Sequence, residues 1–232
     1  MQFTEPLRSG TLIKRYKRFL ADVRLDNGRV ITAHCPNSGS MKSCKTEGWS
    51  VRLSHNPGPK RRYPFTWEMI HNGKCWIGIN TGVPNKIVYE AIAGRKIDAL
   101  SDYTTIRKEV PYGKNSRVDL LLEQGPLLCY IEVKNVTLVE DDGCYYFPDS
   151  VTGRGRKHLL ELMRCVEQRQ RAVMFFVIQR SDGTRFKPAA HIDPAYAETL
   201  RTAQQAGVEM MAYRADVSPE GITLSHKIEI EI

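Results

Sequence analysis

Three residues in this chain could do chemistry together: Asp119, Glu132 and Lys134. In Tyr130-Ile131-Glu132-Val133-Lys134 an extended backbone puts Glu132 and Lys134 on one face, with Ile131 and Val133 on the other. Asp119 opens the preceding apolar run, Leu120-Leu121-Leu122, and Gln124-Gly125-Pro126 is short enough to fold the two strands into a hairpin. Asp119 then approaches Glu132. Two carboxylates held that close repel each other unless a hard cation such as Mg²⁺ or Mn²⁺ sits between them. Such an ion polarises a phosphoryl oxygen and acidifies a bound water, so the set suits hydrolysis of a phosphodiester. The flanking carboxylates favour charged Lys134, which fits orienting a nucleophile or stabilising a transition state better than general-base work. The competing reading of the same residues is an ordinary salt bridge on a half-exposed strand.

The hydrophobic pattern indicates what must hold these groups. Phe19, Ala21, Val23 and Leu25 alternate with mostly polar residues, predicting a strand over 18–25 with Phe19 in the core. Asp26-Asn27-Gly28 turns the chain into a second strand over 29–34, and further strands are expected near 50–55, 63–70 and 74–79. About five short strands with little helix suggest a small OB-type β-barrel over residues 1–82. After Thr81-Gly82-Val83-Pro84 the period becomes helical through Ile87, Val88, Ala91 and Ile92. Residues 83–232 read as a mixed α/β domain: strands at 117–123 and 128–136, a helix over 155–170, a strand at 172–179, a helix over 194–206, and closing strands at 208–213 and 222–232. The stretch 172–178 is nearly all apolar, as expected of a central strand covered on both faces.

The 232 residues are 41% hydrophobic and 26% charged, which argues against disorder. Lys and Arg number 34 against 26 Asp and Glu, a formal charge of +8 that favours polyanionic partners. Six cysteines, at 35, 44, 75, 129, 144 and 165, have no zinc-like spacing and read as reduced thiols. The first twenty residues lack the apolar core of an export signal, and no stretch is long enough to span a membrane. A cytoplasmic location follows as the expectation.

Candidate phosphate contacts cluster in three places. Gly153-Arg154-Gly155-Arg156-Lys157 opens a helix, so Arg154, Arg156 and Lys157 would lie beside unpaired backbone donors, with His158 as a further donor. Lys14, Arg15, Lys17 and Arg18 interleave with Tyr16 and Phe19, and Lys60-Arg61-Arg62 follows a Pro/Gly-rich turn. A plainly solvated basic surface would look the same. The loop Asn37-Ser38-Gly39-Ser40 has the small polar composition of either a ligand-approaching loop or a bare turn.

Asp119 with Glu132-Val133-Lys134, the basic helix and a strand ending Ile178-Gln179-Arg180 together resemble the PD-(D/E)XK nuclease superfamily. Phe147-Pro148-Asp149-Ser150-Val151-Thr152, then Arg154-Gly155 and Lys157-His158-Leu159, with Pro36-Asn37-Ser38-Gly39-Ser40-Met41 upstream, resemble the sugar fermentation stimulation protein A family over essentially the whole chain. The resemblance implies an OB-type domain followed by a restriction-endonuclease-like domain, non-specific DNA binding, and a regulatory link to maltose metabolism. It implies that Asp119 and Glu132 ligate a divalent metal, that the Val133 carbonyl adds a ligand, and that Lys134 serves the nucleophile. It makes Asn37 and Gln179 candidate nucleic-acid contacts. A superfamily glutamate on the first core helix maps to Glu90, with Glu109 as the rival. Val118 stands where the superfamily name has proline, which leaves the carboxylate chemistry unchanged. The expectation is a Mg²⁺- or Mn²⁺-dependent nuclease that binds DNA largely through phosphates, acting as a monomer on one strand or as a homodimer on two. Its rivals are a non-catalytic DNA-binding regulator that keeps the fold, and a barrel that binds a saccharide.

Overall fold

The computed structural model describes residues 1–59, 61–113 and 116–232. Six strands, β1 (Arg8–Tyr16), β2 (Leu20–Leu25), β3 (Val30–His34), β4 (Ser50–His55), β5 (Phe65–His71) and β6 (Trp76–Gly78), run in the order β3-β2-β1-β4-β5-β6. Pairing of His34 with Thr66 joins β3 to β5 and closes the first five strands into a barrel. Its interior follows from period-two alternation: Leu12, Ala21, Val23, Ile31, Ala33, Val51, Leu53 and Trp67 all point inward. Strand β1 escapes sequence reading because its second half is Lys14-Arg15-Tyr16, whose long polar side chains conceal the alternation.

The second domain begins with α1 (Val83–Ala93), which carries a proline in its first turn where a missing N–H costs nothing. It continues with β7 (Thr105–Tyr112), β8 (Ser116–Gln124), β9 (Leu127–Val136), β10 (Leu138–Val139), β11 (Tyr145–Phe147), α2 (Gly153–Glu167), β12 (Arg171–Ile178), β13 (Phe186–Pro188), α3 (Pro194–Gln205), β14 (Glu209–Val217) and β15 (Ile222–Lys227). The main sheet has the order β15-β14-β12-β9-β8-β7, with β12 parallel to both β9 and β14. Alternate residues of β12 serve two cores: Val173, Phe175 and Val177 pack beneath α1, while Met174, Phe176 and Ile178 pack beneath α2 and α3. Each fully buried aromatic here contributes about 1.5–3 kcal/mol, which anchors the central strands as a rigid platform. Strand β7 lies at the sheet edge with most of its residues exposed, so it has little hydrophobic pattern to read.

The chain does not divide cleanly at residue 82. Gln2 pairs with Gly221, Phe3 N donates to Glu220 O, and Met1, Phe3 and Leu7 pack on the core beneath α1. A second link between the domains runs through Arg180, which is buried at 2% exposure. It donates to Ser43 Oγ (2.8 Å) in the barrel domain, to Thr137 O (2.6 Å), and in two-pronged fashion to Asp182, which itself accepts from Asn72 Nδ2 (2.6 Å) of the barrel. All six cysteines are free, and no helix among the described residues is long and apolar enough to cross a membrane.

Candidate functional site

The pair Leu120–Ile131 is the last rung joining β8 to β9, and it sets Asp119 opposite Glu132. Asp119 Oδ2 accepts from the backbone N–H of Val133 (2.7 Å), and Oδ1 accepts from Asn85 Nδ2 (2.7 Å) on α1. On the α2 side, Glu132 Oε1 accepts from Lys134 Nζ (2.7 Å) and contacts His158 Nδ1. Arg154, one helical turn before His158, donates from Nε to His158 Nε2 (3.3 Å), which leaves Nδ1 to carry the proton toward Glu132. The start of α2 is fixed by Thr152, whose Oγ1 accepts from Gly155 N (3.0 Å) while its own N–H donates to Asp193 (2.8 Å).

The two carboxylates live in different fields. Burial first, and the charge of Glu132 second, push Asp119 up to about 6. Burial acts on Glu132 in the same direction, but the bonds from His158 and Lys134 outweigh it and hold Glu132 below its ordinary value. Glu132 is only 2% exposed, and its Oε2 has no hydrogen-bond partner among the described residues. An unsatisfied carboxylate oxygen in that position is costly. Glu132, Asp119 and the Val133 carbonyl are the oxygen donors that could hold a divalent cation here; one so placed would give the orphaned oxygen a partner and offset the repulsion between the carboxylates.

These groups line a cleft of about 540 Å³ between the two domains, walled on the barrel side by Arg18 and the 37–39 loop and on the other by the 146–152 segment. The comparisons with known proteins match both halves of this architecture. A model described as the SfsA N-terminal OB domain matches residues 13–79, and one described as the sugar fermentation stimulation protein RE domain matches residues 82–221. The sugar fermentation stimulation protein homolog of Geotalea uraniireducens is 54% identical over 232 residues, covering all of both chains. That of Geobacter sulfurreducens is 57% identical, covering 99% of this chain and 98% of its own. The chain belongs to the sugar fermentation stimulation protein family. Its fold is also that of Pyrococcus furiosus SfsA, solved in complex with Ca²⁺, with a TM-score of 0.90 and 24% identity over 100% of this chain and 98% of that one.

Against this family fold, the residues singled out in the sequence separate into groups. Asp119, Glu132, Val133, Lys134, Arg154, His158, Asn37 and Arg18 meet at the cleft. His158, at 5% exposure, faces Glu132, so it acts on the carboxylate rather than as a free phosphate donor. Asn37 is buried; its Nδ2 donates to Ile79 O (3.2 Å) and its Oδ1 accepts from Gly39 N (2.9 Å), so it shapes the loop. Arg15 donates to Asn37 O (2.8 Å) and Gly39 O (3.0 Å), which commits it to the same loop. Lys14 pairs with Asp22 (3.8 Å), and exposed Lys17 sits in the turn after β1. Arg61 bonds Asn56 O (3.4 Å) and Arg62 lies over Tyr63, both away from the cleft, while Lys60 lies outside the described residues. Arg156 is exposed outside the cleft, and Lys157 lines an adjoining hollow with Arg117.

Three expectations require correction. Glu90 does not reach the carboxylates; it pairs with the Met1 amino group (2.7 Å), and Asn85 is the α1 residue that meets Asp119. Its rival Glu109 is exposed and lines the adjoining hollow rather than the cleft. Gln179 is fully buried: its Nε2 donates to Asn135 Oδ1 (2.7 Å) and its carbonyl accepts from Gly78 N, so it ties the barrel to the sheet instead of touching a ligand. Phe19, predicted in the core, is half exposed, because the chain turns at Lys17 and Arg18 and β2 starts only at Leu20. Sequence reading missed Asn85 and Asp149. Their polar types near Pro84 and Pro148 mark a helix start and a turn, but nothing local says that either faces the cleft.

Proposed function

We propose that this protein is a divalent-metal-dependent phosphodiesterase acting on nucleic acid, with Mg²⁺ or Mn²⁺ held by Asp119, Glu132 and the Val133 carbonyl. The observation that carries the reading is the buried Oε2 of Glu132, unpartnered among the described residues, beside an Asp119 that its surroundings push toward neutrality. The description of the matched model as an RE domain, the likeness of Asp119 with Glu132-Val133-Lys134 to the PD-(D/E)XK pattern, and the Ca²⁺ bound by the Pyrococcus relative support it. When bound, the cation supplies Lewis acidity and an acidified water. The chain's own residues do the rest. Lys134 Nζ, 2.7 Å from Glu132 Oε1, holds a positive charge where negative charge develops on the reacting phosphate. His158 and Arg154 fix the orientation of Glu132 from the opposite side. Arg18 and Arg154, on opposite walls of the cleft, meet flanking phosphates without reading sequence. The free thiols accord with a cytoplasmic location.

A second reading also rests on a specific contact. Lys134 and His158 already satisfy Glu132 Oε1, so the cluster is half neutralised by the protein itself, as a non-catalytic DNA-binding regulator would tolerate. Cleavage of single-stranded, nicked and duplex DNA with Mg²⁺ or Mn²⁺ separates the two. We expect cutting by the wild type and a loss of at least about a hundredfold in Glu132→Ala and Lys134→Ala with binding retained. Binding by the wild type with no cutting of any substrate would leave the regulator.

A further inference from the structure

The walls of the cleft are tied to each other across the two domains. Asp149 Oδ2 accepts from Met41 N (2.9 Å) across the two domains, and Gly39 sits so close to Asp149 that a Cβ there would lie 2.5 Å from Oδ2. Ser43 Oγ donates to Thr137 O (3.1 Å), and Gly78 N donates to Gln179 O (2.9 Å). Arg180, buried in the same seam, adds a further bond between the barrel and the sheet. A volume of about 540 Å³ is that of a pocket for one small ligand. It has room for a nucleotide or two of flexible strand beside Glu132.

The rim carries something that phosphate contacts do not require. Val151, in the cleft wall, is 73% exposed, and Phe19, next to cleft-lining Arg18, is 50% exposed. Both are large apolar side chains standing in solvent, one on each domain, beside cations. Phe19 is held there by its backbone: its carbonyl accepts from Cys35 N (2.7 Å), and the preceding Lys17 and Arg18 take φ of 47° and 61°, a left-handed turn that non-glycine residues seldom adopt. Alternating cations and exposed aromatic or apolar faces suit a strand whose bases are unstacked, since every base offers a ring face. A paired duplex would present only phosphates and groove edges at the same lip.

We propose that the cleft takes an unpaired nucleic-acid strand, with Phe19 and Val151 meeting bases while Arg18 and Arg154 meet phosphates. This rests on the phosphodiesterase reading and names its substrate class: single strands, or the frayed and flapped ends of duplexes.

The test is anisotropy titration of labelled 15-mers, single-stranded and duplex, in DNA and in RNA, with EDTA present so that cleavage does not intrude. Wild type, Phe19→Ala, Val151→Ala and Phe19→Trp are compared; both positions are exposed, so the variants fold. The single strand is expected to bind at least about tenfold more tightly than duplex. That preference should shrink by about fivefold or more in Phe19→Ala and survive in Phe19→Trp. The DNA and RNA arms tell which strand is preferred. Equal or tighter duplex binding, or a single-strand preference untouched by Phe19→Ala and Val151→Ala, overturns this inference and leaves the phosphodiesterase reading standing. Binding of no nucleic acid in any form, with Ca²⁺ in place of EDTA as well as with EDTA, overturns both.

Discussion

Arg180 and Glu132 are both charged and almost fully buried, and they belong to adjacent parallel strands and their ends, yet only one has every partner it needs. Each guanidinium nitrogen of Arg180 finds an acceptor in Asp182, Ser43 or Thr137. Glu132 has one oxygen doubly engaged and the other without a hydrogen-bond partner among the described residues, and it faces a second carboxylate across the hairpin. The same sheet therefore carries a finished polar cluster that fixes the domains and an unfinished one that lines the cleft. A protein keeps the second arrangement, at a cost in stability, where something else completes it.

Removing a finished charge should hurt most. Arg180→Ala takes the two-pronged partner from Asp182 in the seam and removes the bonds to Ser43 and Thr137 that tie the domains, so we expect a loss of about 3–5 kcal/mol in chemical denaturation. A loss below about 1 kcal/mol would make the seam far weaker than its geometry implies. Gly39→Ala comes next: the new methyl must displace the Asp149 carboxylate and with it the bond to Met41, costing about 1–3 kcal/mol.

At the unfinished cluster the sign should reverse. Asp119→Asn replaces a carboxylate pushed up to about 6 by a neutral group of the same shape, so the metal-free variant should melt about 2–4 °C higher than the wild type. Glu132→Gln gives up the charge that Lys134 and His158 hold and should melt lower. Lower melting of both would place the two clusters in one class.

The smallest effect is in acid. Burial raises Asp182, but the paired bonds from Arg180, helped by Asn72, hold it at about 2 against an ordinary 3.8. A depressed carboxylate stabilises the fold above its unfolded value, and this contribution is lost as pH falls from about 4 to about 2. Melting curves over that window should fall more steeply for wild type than for Asp182→Asn.

Much of this was legible in the residues, for definable reasons. Alternation exposed β2 to β5, and the unbroken apolar run of β12 announced a strand buried on two faces. Glu132 and Lys134 could be paired because strand period alone places them together, and the short link at Gln124 to Pro126 brought Asp119 across. Partners supplied from distant chain were not legible. Asn85 and Glu90 lie little more than a helical turn apart on α1, and only the packing of that helix on β8 and β9 decides which one meets Asp119. Gln179 read as a strand-end polar residue open to a ligand, but the barrel docks over it: Gly78 N donates to its carbonyl, and its buried side chain turns to Asn135 on β9. Phe19 failed in the other direction, because alternation cannot see that a turn has ended the strand before it.

Calorimetric titration of Mn²⁺ into the metal-free protein tests whether Asp119 and Glu132 hold a divalent cation. We expect one ion bound per chain in the wild type, and loss of that binding in both Asp119→Asn and Glu132→Gln. Absence of Mn²⁺ binding, or binding unchanged in the two variants, would contradict this assignment.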